Sequence, residues 1–158
     1  MSINFSSTTP AAPAGSVLVV PQNDGAGNQS FYVPSSAPVL TTVDLTAQDA
    51  NIGTTTIVSA PATGRYRVSV YTIVTTPDGA SSTLPSVVIG WTDPDNATSQ
   101  TFTLTATAPT GNTKTTYAEI VVVISATTST NISYATTSYA SGTPTAMKYA
   151  LHLVLEQI

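Results

Sequence analysis

From Val39 to Ile158 the chain is a succession of short runs rich in Thr, Val, Ser and Tyr, cut by Pro, Gly and Asn, and no stretch carries a helical period. That pattern restricts the chain to an all-β fold. Eight strands are predicted, at 39–45, 54–60, 64–76, 84–92, 100–107, 116–126, 130–139 and 146–157. The breakers between them include Pro77-Asp-Gly79, Asp93-Pro-Asp-Asn96 and Pro109-Thr-Gly-Asn112. Turn signals at this spacing point to an antiparallel sandwich or jelly roll. Alternation gives the inner faces. Tyr66, Val68, Val70 and Val74 share one side of their strand, and Met147, Tyr149, Leu151, Leu153 and Leu155 one side of the last.

Residues 1–38 read differently. Pro10, Pro13, Pro21, Pro34 and Pro38 interrupt any long ladder. Two short apolar pieces, Val17–Val20 and Phe31–Val33, flank a segment with the hairpin signal Asp24-Gly25. The expected organisation is an extended arm or short hairpin over 1–38, followed by a β domain over 39–158. The arm needs a surface to lie on, and Pro10, Pro13, Val17, Val19, Phe31 and Tyr32 are its candidate docking residues.

Composition excludes several functions. Only 8% of the side chains are charged, against about 25% in an ordinary domain. Ser and Thr, roughly a third of the chain, cover the outer faces instead, and Thr suits a half-buried sheet. Arg65, Arg67, Lys114 and Lys148 are the permanent cations, too few for a nucleic-acid footprint. The start of the chain has no basic and apolar signal pattern. The longest aliphatic run, Ile120–Ile124, is far short of the roughly 20 residues that span a bilayer. The expectation is a soluble chain, made in the cytoplasm, with neither nucleic acid nor membrane as partner.

Little chemistry stands out. With no Cys and a single His, neither thiol catalysis nor a typical zinc site is expected, and no cofactor or metal is assigned. His152 has no nucleophile-elbow motif to serve and reads as a surface or interface residue. Asp93-Pro-Asp-Asn96 reads as a turn rather than a calcium loop. No catalytic residues are assigned.

Ile120-Val-Val-Val-Ile124 is apolar on both faces, which an antiparallel strand with one wet side should not be. A second cover is needed, from the arm or from another copy of the chain. A homo-oligomer supplies it economically, since one patch serves every subunit. The candidate interface residues are Ile120, Val122, Ile124, Tyr71, His152 and Val154.

Two segments carry a resemblance. Gly64-Arg-Tyr-Arg-Val-Ser-Val70 is similar to the Gly-x-Tyr-x-x-Ser-Val strand of the tumour-necrosis-factor/C1q-like jelly rolls, and Tyr149–Leu155 matches their last strand in pattern. Thr9–Gly15, Gln22–Asn28 and Tyr32–Pro34 resemble an arm recurring in structural proteins of tailed bacteriophages. Arg65 and Arg67 stand where the eukaryotic families carry apolar or aromatic side chains, so a ligand role is not carried over. The resemblance implies an eight-stranded antiparallel jelly roll behind an extended arm, forming homotrimers on a virion. It implies a non-enzymatic decoration or cement protein whose partner is the major capsid protein or another virion protein. The alternative is the receptor-binding tip of a short head or tail fibre, touching a host surface glycan through loops at 78–83, 93–98 and 109–114.

Overall fold

The computed structural model describes residues 39–79, 81–104, 111–128, 130–142 and 147–158, with the strand backbones of Ser16–Val19 and Phe31–Pro34. By internal contacts the chain divides into Met1–Pro38 and Val39–Ile158. In the first unit β1 (Ser16–Val19) pairs antiparallel with β2 (Phe31–Pro34), Val17 opposite Val33 and Val19 opposite Phe31. Pro10 and Pro13 lie outside the described residues, as do the side chains of Val17, Val19, Phe31 and Tyr32.

The second unit holds eight strands. They are β3 (Val39–Gln48), β4 (Thr55–Val58), β5 (Gly64–Thr76), β6 (Ser86–Thr92), β7 (Ser99–Leu104), β8 (Tyr117–Ala126), β9 (Ile132–Thr137) and β10 (Lys148–Gln157). Their pairing follows from folding the chain once, at the turn between β6 and β7. That fold lays β6 on β7, β5 on β8, β4 on β9 and β3 on β10, all antiparallel. Rolling this long double ribbon sends alternate pairs to opposite layers. The orders β3-β10-β5-β8 and β4-β9-β6-β7 result, so the domain is an antiparallel jelly roll.

The inner faces are those the alternation predicts. Tyr66, Val68, Val70 and Val74 on β5 are buried, as are Tyr149, Leu151, Leu153 and Leu155 on β10. They meet Val87 and Ile89 of β6, Leu104 of β7, and Ile132 and Tyr134 of β9. Thr72 occupies an inward position on β5 and satisfies its hydroxyl on the Ala150 carbonyl at 2.9 Å. At one end of the core Tyr149 donates to the Ala50 carbonyl at 2.9 Å, and its oxygen lies 3.2 Å from Thr136 Oγ1. Burial pushes the Tyr149 phenol above its usual pKa.

The connections at one end close over the core. Ser82 donates its amide and hydroxyl to Asn112 Oδ1, at 3.2 and 2.8 Å. The Gly111 amide donates to the Ser82 carbonyl at 2.8 Å. Ser141 donates to Asp78 Oδ2 at 2.9 Å, and Tyr139 to the Met147 carbonyl at 2.6 Å. Only glycine fits at 111, because a Cβ there falls 2.6 Å from Ser82 Oγ and 2.8 Å from Met147 Cγ.

Two variants test this packing by denaturant unfolding. Leu153→Ala, emptying a fully enclosed site between the sheets, is expected to cost about 2–5 kcal/mol. Gly111→Ala, pushing Ser82 and Met147 apart, is expected to cost about 1–3 kcal/mol.

Candidate interaction surface on one sheet

The two outer faces of the sandwich differ. On the sheet β4-β9-β6-β7 the outward positions are mostly small or hydroxylated: Ser86, Gly90 and Thr92 beside the half-buried Val88 on β6, Ser99, Thr101 and Thr103 on β7, Ser133, Ala135 and Thr137 on β9. On β3-β10-β5-β8 they are large, apolar, aromatic or charged. The exposed large apolar residues of the described chain are Val39, Leu40, Tyr117, Val121, Val123 and Ile158. Five lie on β3 or β8, the edge strands of this sheet, and the sixth follows β10.

Register sets these side chains in rows. Asp44, His152, Tyr71 and Glu119 lie abreast on β3, β10, β5 and β8. The next row is Thr42, Val154, Ser69 and Val121, and in the one after it Glu156, Arg67 and Val123 adjoin the start of β3. A groove of about 480 Å³ runs over the first two rows, lined by Ser69, Tyr71, Glu119, Val121, His152 and Val154.

Local contacts fix its walls. His152 Nδ1 lies 2.8 Å from Asp44 Oδ1, which orients the ring. The ring stacks against Tyr71, with centroids 6.1 Å apart and planes at 22°. Tyr71 in turn meets Tyr117 at 5.9 Å. An aromatic ladder thus crosses three strands between two carboxylates. In the following row Arg67 Nε donates to Glu156 Oε2 at 2.6 Å. That bond holds the Glu156 carboxyl below its ordinary pKa and raises the Arg67 guanidinium.

The structure corrects the interface expected for β8. Ile124 is 2% exposed and belongs to the core, with Ile120 and Val122 packed against that core beside it. The outward pair is Val121 and Val123, 62% and 56% exposed. Tyr71, His152 and Val154 do lie on the outer face, around the groove. The strand's own sequence carries the distinguishing signal. Tyr117, Glu119 and Ser125 share a parity with Val121 and Val123, whereas Ala118 and Ala126 share the other with Ile124. A charged residue in a two-residue period marks the wet side.

The loops expected for glycan contact differ from one another. Asp78, Ser82 and Leu84 are buried at the closed end of the sandwich. The Asp93–Thr98 segment is an outlying turn, in which Asp93 Oδ1 accepts from the Asp95 amide at 2.8 Å and Asn96 Oδ1 from the Thr98 amide at 3.0 Å. Trp91 and Tyr134 face the interior.

A serine-histidine-aspartate arrangement is superficially present, since Ser69 borders the groove beside the Asp44–His152 pair. Its chemistry is incomplete. No hydrogen bond joins Ser69 to His152 among the described residues, and β5 is a central strand whose amides are committed to β8 and β10. A sheet face of this kind offers no pair of free N–H groups to an oxyanion. No group of three or more His, Asp or Glu able to hold a metal occurs among the described residues.

No family model matches the chain, and no curated protein matches it. Two solved structures of infectious bursal disease virus are similar. The Gx strain structure has 16% identity and a TM-score of 0.34, covering 87% of this chain and 40% of that one. The Gt strain structure has 14% identity and a TM-score of 0.29, covering 99% and 46%. The chain therefore spans less than half of either viral chain. At TM-scores of this size the likeness decides neither fold nor function, which rest on the strand order and the exposed face.

The Arg67–Glu156 pair gives a pH test. A carboxyl whose folded pKa is depressed contributes stability above its unfolded pKa, and that contribution is lost as pH falls through the folded value. Acid titration of the melting temperature below the ordinary Glu value of 4.5 is expected to show this loss in the wild type and a shallower decline in Glu156→Gln.

Proposed function

We propose that the protein is a non-enzymatic structural component of a virion, a homotrimer that decorates or cements the surface of a capsid. The observation that carries this reading is the concentration of exposed large apolar side chains on one sheet, chiefly on its two edge strands, opposite a sheet whose outward residues are mostly small or hydroxylated. A face bearing Val121, Val123, Tyr117, Leu40 and Val39 loses free energy by leaving water, at about 25 cal/mol per Å² of apolar surface. Sister copies are the economical cover, because one sequence supplies both sides of the contact.

The sequence resemblance of the first 38 residues to arms of tailed-phage structural proteins supports a division of labour. The arm binds the major capsid protein or another virion protein, and the jelly roll joins its sisters. Attachment to assembled shell alone then stabilises the shell by mass action. The virion is the proposed location and the host cytoplasm the place of synthesis. Fibre-tip recognition of a host glycan is the second reading. It is favoured by the outlying Asp93–Thr98 turn.

Cryo-electron microscopy of purified particles tests the location: density for the domain on capsid faces in many copies is expected, and density confined to a fibre tip selects the second reading. Sedimentation velocity tests the assembly. The wild type is expected as a trimer, and Val121→Ser/Val123→Ser as a monomer with an unchanged melting temperature measured below the assembly threshold.

A further inference from the structure

We infer that the groove over Tyr71 and Glu119 is a socket for a guanidinium, and that its occupant is Arg65 of a second copy of this chain. The inference rests on the assembly reading above and names the contact that makes it specific.

Charges on this sheet face fall into satisfied and unsatisfied sets. Arg67 is held by Glu156 and Asp44 by His152. Like the half-buried Lys148, Glu119 and Arg65, both exposed, have no ion-pair partner among the described residues. They cannot serve each other within one molecule. Arg65 lies opposite Ser125, and Glu119 opposite Tyr71, six residues away along both strands. At 3.3–3.4 Å per residue that separation is about 20 Å. When the apolar face around them is buried, each becomes costly unless a partner supplies the opposite charge. A second copy carries both, one near each end of the same face. Each subunit then gives an arginine and receives one, which a two-fold pair satisfies reciprocally and a head-to-tail ring satisfies in turn.

The socket's chemistry selects arginine. Glu119 offers two acceptor oxygens for a fork of N–H donors. Beside it the Tyr71 ring, braced by His152 on one side and Tyr117 on the other, offers a flat π-face. Val121 and Val154 line the groove with apolar surface, which suits the weakly hydrated guanidinium better than an ammonium. Lys148 belongs to the same sheet, but it is half-buried at the start of β10 and has an ammonium head.

Charge exchange tests the inference, read by sedimentation velocity and native mass spectrometry, with thermal melts confirming that each variant folds. Glu119→Arg and Arg65→Glu are each expected to weaken assembly by about tenfold or more, and the double variant to restore it. Glu119→Gln should weaken it less, and Lys148→Glu should leave it near wild type. An oligomer indifferent to Glu119→Arg, a double variant that fails to restore assembly, or a Lys148→Glu effect equal to that of Arg65→Glu overturns this contact and leaves the assembly reading intact. A wild type that stays monomeric at every concentration overturns both.

Discussion

The domain depends on β10 lying between β3 and β5. Tyr149, Leu151, Leu153 and Leu155 are all essentially removed from water, and the backbone of the same strand is paired on both sides. No other strand of the domain joins its end to its beginning. The first strand of the jelly roll has no neighbour in its sheet other than the last, so the sheet is complete only when the whole chain is present. The nested pairing has the same consequence: β6 and β7 meet across a short turn, whereas β3 and β10 are separated by the whole domain. Closure of that outermost pair carries the largest loop entropy, and the apolar row of β10 is what offsets it.

Placing β10 at the centre also decides what the outside looks like. Its outward residues, His152, Val154 and Glu156, have neighbours on both sides and are drawn into ordered rows: His152 between Asp44 and Tyr71, Glu156 against Arg67. The edge strands have a neighbour on one side only, so their outward side chains keep most of their exposure. Val121 and Val123 on one edge and Val39 and Leu40 on the other are the result. An open edge with apolar side chains is a liability that proteins ordinarily blunt with charge. Here the edge strand β8 carries one charged residue, Glu119, and it stands at the mouth of the groove.

Much of this was legible in the sequence because strand physics is local. Proline and glycine punctuation bounded all eight strands of the domain to within a few residues, and period-two alternation named the core rows of β5 and β10. The failure on β8 has an equally local cause. Five consecutive aliphatic residues erase the alternation, so hydrophobicity alone cannot orient the strand; Glu119 and Ser125 orient it through parity. The sequence names Tyr71, His152 and Val154 of the groove but not the pairing that fixes its wall. Asp44 and His152 are 108 residues apart, and they meet only because β3 and β10 close the sheet in one register. One loop departs from its sequence pattern for a related reason. Pro77-Asp-Gly79 reads as an exposed turn, yet Asp78 is 4% exposed, because Ser82, Asn112 and Ser141 make that end a hydrogen-bonded lid over Met147.

The scarcity of charge ties the two faces together. A surface of threonine and serine stays wet through its hydroxyls while exerting almost no long-range force. In the proposed assembly, copies carrying such faces outward stand close together without the mutual repulsion that a highly charged surface brings. The same scarcity sharpens the opposite face. With so few ions on the sheet, each unmatched one weighs heavily in deciding which surface can approach. An approach that leaves Glu119 or Arg65 buried and alone is penalised by the cost of an unpaired charge, while the apolar rows between them reward any approach indiscriminately. Hydrophobic burial thus supplies the strength of the proposed association, and two isolated charges about 20 Å apart along the strands supply its register.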